Sequence, residues 1–390
     1  MTRNARDVTI GIGRLIEALQ GPPIARHAQP EQTSTDAELM PSPGRFEDGP
    51  LSEASHSGRM MSATGVRPGN AQVSPRLRRF MDVAWLFPGQ GSQTVGMGKE
   101  LAARYTSAAR VYEEANDALG IDLRALCFEG PAEELDRTAN TQPALLATSI
   151  ACLRAAEEAA DGLAEPRFVL GHSLGEFTAL VAAGALTLAD ALRLVRTRGE
   201  LMQAADLSGA MAAVIGLDAY AIARALVGTP VVVANDNAPG QVVISGPRVD
   251  LARAADVLKE AGAKRIVPLR VSAAFHSPAM RPVAPRMRQA IGVTTLSALR
   301  YPLVANVDAA IHQHAREMPP LLEKQVWSPV QWVASVRRAA GEGASASVEF
   351  GPGSVLTGLV KRILPDAATG NVADETTLRQ ALPLITGGKR

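Results

Sequence analysis

One stretch constrains the fold more than any other: "RFVLGHSLGEFTALVAAG", residues 167–184. Apolar residues run without alternation into Gly-His-Ser-Leu-Gly, and an apolar helical pattern follows at once. A strand that is apolar on both faces must be covered from both sides, which is the situation of a parallel sheet between helices. "VAWLF" (83–87), "PLVANV" (302–307) and "SVEFGPG" (347–353) read as further strands of this kind. Helical patterns lie between them, over 97–119 with a break near Gly120, over 141–160 and over 174–183. Alternating strand and helix of this type predicts an α/β fold with a parallel sheet. Aromatic residues make up only 4% of the chain while the hydrophobic fraction is 46%, so the core has to be built mainly from Ala, Val and Leu.

Residues 209–271 carry a different order. Strand, helix, two strands joined by a tight "APG" turn, helix and strand follow one another, ending in "AKRIVPLRV". This βαββαβ order is the ferredoxin-like arrangement. The expectation is a parallel-sheet, hydrolase-like large subdomain over 81–207 and 273–390, with a ferredoxin-like small subdomain inserted over 208–272.

Residues 1–80 stand apart. Phe46 and Phe80 are their only aromatics, and prolines recur throughout. Such a segment buries too little apolar surface to offset its chain entropy, so a disordered or low-order extension is expected, with a short helix over 8–19. Its eight acidic residues argue against a transit peptide. Met81 stands where order should begin and is an alternative start. A formal net charge of +1 points to no nucleic acid and no anionic membrane surface. The chain contains no run of 18 apolar residues that could span a membrane. Two cysteines, Cys127 and Cys152, make neither a disulfide framework nor a zinc cluster and suit a reducing compartment, so a cytoplasmic location is expected.

"GHSLG" (171–175) fits the Gly-x-Ser-x-Gly elbow, in which a serine sits on a sharp turn from strand to helix. Ser173 is the candidate nucleophile; the competing reading is an ordinary glycine-rich turn with a capping serine. A serine nucleophile needs a base. Of six histidines, His27 and His56 fall in the extension, and His312 and His314 in a polar stretch. His172 adjoins the serine and suits packing or hydrogen bonding beneath the turn. His276 in "SAAFHSPAM" follows a strand end and is the best candidate. No acidic third member is evident: Asp206, Asp218, Asp236, Asp250 and Asp256 lie between Ser173 and His276 but mostly within the inserted unit, which leaves a dyad with the imidazole oriented by backbone carbonyls as an alternative to a triad.

"FPGQGSQ" (87–93) lacks the lysine and spacing of a phosphate loop. It could instead aim the N–H of Gln90 at an oxyanion, paired with the N–H of Leu174. Arg193, Arg196 and Arg198 lie together in "RLVRTRGELMQ". A solvated helix face suits the first two, whereas a buried guanidinium at Arg198 would be called for only by a substrate carboxylate.

"FPGQGSQ", "GHSLGE", "RTRGELMQ", "ANDNAPGQVVISG", "AFHS" and "EFGPGSVLTGL" occur in this order. Together, over about residues 83–365, they resemble the malonyl-CoA:acyl-carrier-protein transacylase family of fatty acid and polyketide synthesis. The resemblance implies that Ser173 takes the acyl group and that His276 is general base and acid. Gln90 and Leu174 would supply oxyanion N–H groups, and Arg198 would hold the malonyl carboxylate. It further implies that Gln325 helps to orient the histidine, that Asn235, Asn237 and Gln142 line the cleft, and that Phe275 disfavours a methyl-branched extender. Ping-pong transfer from malonyl-CoA to the phosphopantetheine thiol of an acyl carrier protein follows, with no cofactor held by the enzyme, no nucleic acid, no membrane, and a monomer expected. A serine esterase or thioesterase on the same elbow is the alternative; it predicts a triad acid after Ser173 and no need for Arg198. A non-catalytic docking module, and a dedicated transacylase for another carrier, are further alternatives.

Overall fold

A computed structural model describes residues 82–205, 208–271 and 273–387. The 1–80 extension and the helix expected in it lie outside these residues.

Strand β1 (Val83–Phe87) is buried at every position and lies inside a six-stranded sheet. Its partners are β2 (Phe168–Gly171), β7 (Leu303–Val304), β8 (Ile311–His312), β9 (Ala346–Phe350) and β10 (Ala368–Val372), in the order β10–β9–β1–β2–β7–β8. All neighbours run parallel except β7 and β8. Alternate residues of a strand face opposite sides, and here each side has its own core. Trp85, Phe87 and Val169 pack with Phe177 and Leu145 on one side. Ala84, Leu86, Phe168 and Leu170 pack with Trp332, Leu356 and Val360 on the other.

The helices that matter for the site are α1 (Thr138–Ala159), α2 (Gly175–Ala182), α3 (Leu188–Gln203), α4 (Met318–Gln325), α5 (Trp332–Gly341) and α6 (Val355–Ile363). Helix α1 carries Pro143 inside it. Proline has no N–H to give to the carbonyl four residues back, and Arg196 Nη1 donates to that carbonyl, of Ala139, at 3.3 Å and to Asn140 Oδ1 at 2.7 Å. Arg196 is therefore half-buried and structural, not part of a solvated face as its position suggested.

The second sheet joins β3 (Gly209–Ile215), β4 (Val232–Ala238), β5 (Gln241–Pro247) and β6 (Arg265–Pro268) in the order β4–β5–β3–β6, all antiparallel. With helices Ala219–Ala225 and Arg248–Glu260 between strands, this is the ferredoxin-like order. Pro239 and Gly240 close the β4–β5 hairpin, with Gly240 at φ 69°, the positive φ that the third residue of a type II turn requires.

Three details differ from the sequence reading. The helix expected over 97–119 is two helices, Lys99–Arg104 and Thr106–Leu119. Tyr105 between them is extended, its hydroxyl donating to Glu375 Oε2 at 2.7 Å. The strand expected over 302–307 shrinks to β7, because the chain turns back to form β8. The "AKRIVPLRV" strand shrinks to the partly exposed β6. Among the described residues no helix is long and apolar enough to cross a membrane.

Candidate active site

The elbow depends on its glycines. A Cβ on Gly171 would run into the main chain of Gly175, and one on Gly175 into the carbonyl of Phe87 at the end of β1. Strand β2 and helix α2 can meet at Ser173 only with hydrogen at both places. Ser173 itself takes φ 53°, a left-handed conformation that costs a residue with a Cβ about 1–2 kcal/mol. Asn306, just beyond β7, spans the turn: its Oδ1 accepts from Ser173 N at 2.7 Å and its Nδ2 donates to Gly171 O at 2.6 Å.

His276 Nε2 lies 2.8 Å from Ser173 Oγ. Its other nitrogen, Nδ1, faces two main-chain carbonyls, Gln325 O at 3.0 Å and Ser328 O at 3.1 Å. Only a protonated Nδ1 can satisfy them, so Nε2 is the acceptor and the Ser173 hydroxyl donates. Among the described residues no carboxylate completes a triad at Nδ1. His276 is buried, and its pKa is pushed down to about 3, first by burial and then by the positive charge of Arg198. The imidazole is neutral at ordinary pH and available as a base.

Arg198, on α3, is 1% exposed. Nη2 donates to Ser173 Oγ at 3.1 Å and to Gln325 Oε1 at 2.9 Å, and Nη1 donates to Gln142 Oε1 at 2.8 Å. The Phe177 ring lies 5.4 Å from the guanidinium carbon, and Nε has no partner among the described residues. Every hydrogen-bond acceptor of this buried cation is thus neutral. Burial pulls its pKa down to about 10, which still leaves it charged at neutral pH. A buried charge without a direct counter-ion is costly, and it suits a site that receives an anion beside the serine.

The other candidates divide. Gln325 and Gln142 join this cluster through Arg198. The expected orienting role of Gln325 falls to its main-chain carbonyl, while its side chain serves Arg198. The main-chain N–H groups of Gln90 and Leu174 find no acceptor among the described residues, and the Gln90 side chain is held by Thr138 Oγ1 at 3.2 Å. Asn237 does not reach the serine; its Oδ1 pairs with His172 Nε2 at 2.8 Å, behind the elbow, where His172 also packs on Trp332. Asn235 sits on β4, where it bridges to Val330. Phe275 is buried immediately before His276. Cys127 and Cys152 are free thiols pushed up to about 12 by burial, so neither is a nucleophile. No cluster of His, Cys, Asp or Glu among the described residues could hold a metal ion.

Residues 84–380 match the acyl transferase domain family. The malonyl CoA-acyl carrier protein transacylase of Bacillus subtilis strain 168 is 43% identical over 310 residues, spanning 78% of this chain and 97% of that protein. An acyl carrier protein S-malonyltransferase structure from Burkholderia pseudomallei aligns with a TM-score of 0.75 at 43% identity, covering 78% of this chain and 100% of that one. A malonyl-transacylase in complex with its type II polyketide synthase acyl carrier protein aligns with a TM-score of 0.74 at 42% identity, covering 77% and 99%. The chain belongs to the malonyl-CoA:acyl-carrier-protein transacylase family. It is an acyltransferase.

Within this transacylase framework two buried polar residues escaped the sequence reading. Asn306 pins the elbow from 133 positions away. Glu176, the last residue of "GHSLGE", is wholly buried and accepts from Gln325 Nε2 at 2.6 Å. A motif ending in a carboxylate on an otherwise apolar helix was the available signal for Glu176. Nothing in the sequence around Asn306 marks it.

Proposed function

We propose that this acyltransferase moves a malonyl group from malonyl-CoA to the phosphopantetheine thiol of an acyl carrier protein through a malonyl ester on Ser173. One observation carries the reading: Ser173 Oγ is shared between a neutral imidazole at 2.8 Å and a buried guanidinium at 3.1 Å. The first can take the hydroxyl proton, and the second can receive the carboxylate that distinguishes malonyl from a plain acyl group.

In the first half-reaction Ser173 Oγ attacks the thioester carbonyl while His276 Nε2 accepts its proton. The N–H groups of Gln90 and Leu174 are suited to the oxyanion, since neither is already engaged. Collapse breaks the carbon–sulfur bond, and His276 returns the proton to the departing thiolate. The second half-reaction runs the same steps backwards, with the carrier thiol as attacking group. Burial is the main cause of the depressed His276 pKa, and an acyl carboxylate at Arg198 would offset the smaller part that the Arg198 charge contributes, strengthening the base as a malonyl donor binds. The neighbour solved with its carrier protein supports the choice of acceptor. An esterase reading finds less support, because Nδ1 of His276 meets carbonyls and not an acid.

Intact mass after brief incubation with malonyl-CoA tests this. The wild type should gain one malonyl group, Ser173→Ala none, and Arg198→Ala much less. Steady release of free CoA without an adduct or a carrier would count for hydrolysis instead.

A further inference from the structure

Glu176 lies in the first turn of α2, with no exposed surface, and takes no part in the steps above. A carboxylate in such a place is costly unless it serves its neighbours. Its Oε2 accepts from Gln325 Nε2, and its Oε1 faces the Asn306 N–H at 3.4 Å. Gln325 Nε2 also donates to Ser173 O at 2.8 Å, so two acceptors claim the same NH2 group. The opposite face of that amide, Oε1, is thereby turned toward Arg198 Nη2.

The direction of this amide matters. Its two ends are nearly equal in shape but opposite in hydrogen bonding. Turned over, Gln325 would present donors to a guanidinium that only donates, and Arg198 would lose one of its three anchors. A carboxylate is the side chain that best prevents the turn, because when ionised it accepts and never donates. Burial pushes the Glu176 carboxyl up to about 7, against the pull of the Gln325 amide, the Asn306 N–H and the Arg198 charge toward the ionised form, and in either form an oxygen remains to accept from Gln325.

We propose that Glu176 is a positioning residue that acts through Gln325 to hold the Arg198 guanidinium beside Ser173, and so sets the preference for carboxylate-bearing acyl groups over uncharged ones. This rests on Arg198 being the carboxylate site, and Arg198→Ala serves as the reference for it.

The test compares kcat/KM for malonyl-CoA and acetyl-CoA in the purified full-length protein with an acyl carrier protein as acceptor. Glu176→Gln keeps an acceptor at the same reach but adds a donor that lets the Gln325 amide turn over, so it should lower the malonyl-to-acetyl ratio by less than removal of the acceptor does. Glu176→Leu removes the acceptor, and Glu176→Asp keeps the charge but withdraws it from Gln325. Both should lower the ratio by about tenfold or more, through a higher KM for malonyl-CoA, with acetyl transfer changed far less. Should the Leu variant not fold, the Asp variant decides. Adding Glu176→Leu to Gln325→Leu should lower the ratio no further, as expected of residues acting in series. Equal losses for both donors, or a wild-type ratio in the Asp and Leu variants while Arg198→Ala lowers it, would overturn the role of Glu176. A wild-type ratio in Arg198→Ala would overturn the carboxylate site itself, and this proposal with it.

Discussion

Ser173 and His276 share a left-handed backbone, at φ 53° and φ 55°, and their side chains meet at 2.8 Å. Two residues with side chains held in a conformation that favours glycine mark stored strain at the proposed reacting centre. Glycine at either place should relieve about 1–2 kcal/mol, more than its own extra entropy cost of about 0.5–1 kcal/mol. Ser173→Gly is therefore expected to be more stable than Ser173→Ala, and His276→Gly more stable than His276→Ala. Urea unfolding of the four variants checks this. Alanine variants as stable as their glycine counterparts would mean that the turns are not strained.

The depressed pKa of His276 gives stability a pH dependence of definite sign. The unfolded chain takes a proton at this imidazole near pH 6.5, the folded chain only near 3. Between those values the unfolded state holds more protons, so stability falls as pH falls. His276→Gln lacks this titration. It should gain on the wild type as pH drops from 7 to 4, by on the order of 3 kcal/mol at pH 4. Urea midpoints at both pH values report it, and parallel curves for the two proteins would refute it. The rate of malonyl loading should likewise show no loss near pH 6.5 from protonation of His276.

The parts of the site that could be read in the sequence are those whose residue type announces a reaction and whose neighbours announce a place. Ser173 stands between an apolar strand and an apolar helix, and His276 follows a strand end, so the turn and the dyad were both legible. Arg198 was legible as a candidate because a guanidinium in a helix with an apolar face needs a reason to be there. Glu176, Asn306 and the side-chain contacts of Gln325, which the resemblance named only for orienting the histidine, are different. Their roles arise from contacts across 130 to 152 positions of chain, between polar groups that have no periodicity to give them away. Asn237, placed in the cleft between subdomains by resemblance, lies on β4 and pairs with His172 of the elbow. In the fold, β8 and β10 escaped notice because both are short or partly exposed, with β10 reading "ATGNV". The buried strands β1, β2 and β9 announced themselves by apolar residues on both faces.

Arg198 engages three oxygens with two nitrogens of one rigid fork. A lysine keeps the charge, but its single nitrogen sits on a flexible stem and cannot hold Gln142, Gln325 and a substrate carboxylate together. Arg198→Lys should lower kcat/KM for malonyl-CoA by about 10–100-fold, or ~1.4–2.7 kcal/mol of transition-state stabilisation. Steady-state kinetics checks this. A lysine variant that loads malonyl at the wild-type rate would show that charge alone is sufficient.

Glu349, at the end of β9, offers a test of the scaffold apart from the chemistry. It is wholly buried, and its two oxygens accept from Leu356 N at 3.1 Å and Thr357 N at 2.8 Å, at the start of α6. Truncation by Glu349→Ala leaves both N–H groups without this acceptor and should cost about 2–3 kcal/mol. Burial nevertheless outweighs these bonds and pushes the carboxyl up to about 7. The folded state then holds the proton more tightly than the unfolded chain, whose carboxyl titrates near 4.5, so stability declines as pH rises from about 4.5 through 7. Glu349→Gln is neutral throughout and escapes that decline. Relative to the wild type it should therefore gain on the order of 2–3 kcal/mol between pH 5 and pH 8. Urea unfolding at the two pH values distinguishes the outcomes. A Gln variant that loses ground at pH 8 would mean that the helix N-terminus holds Glu349 ionised and that burial is the weaker effect.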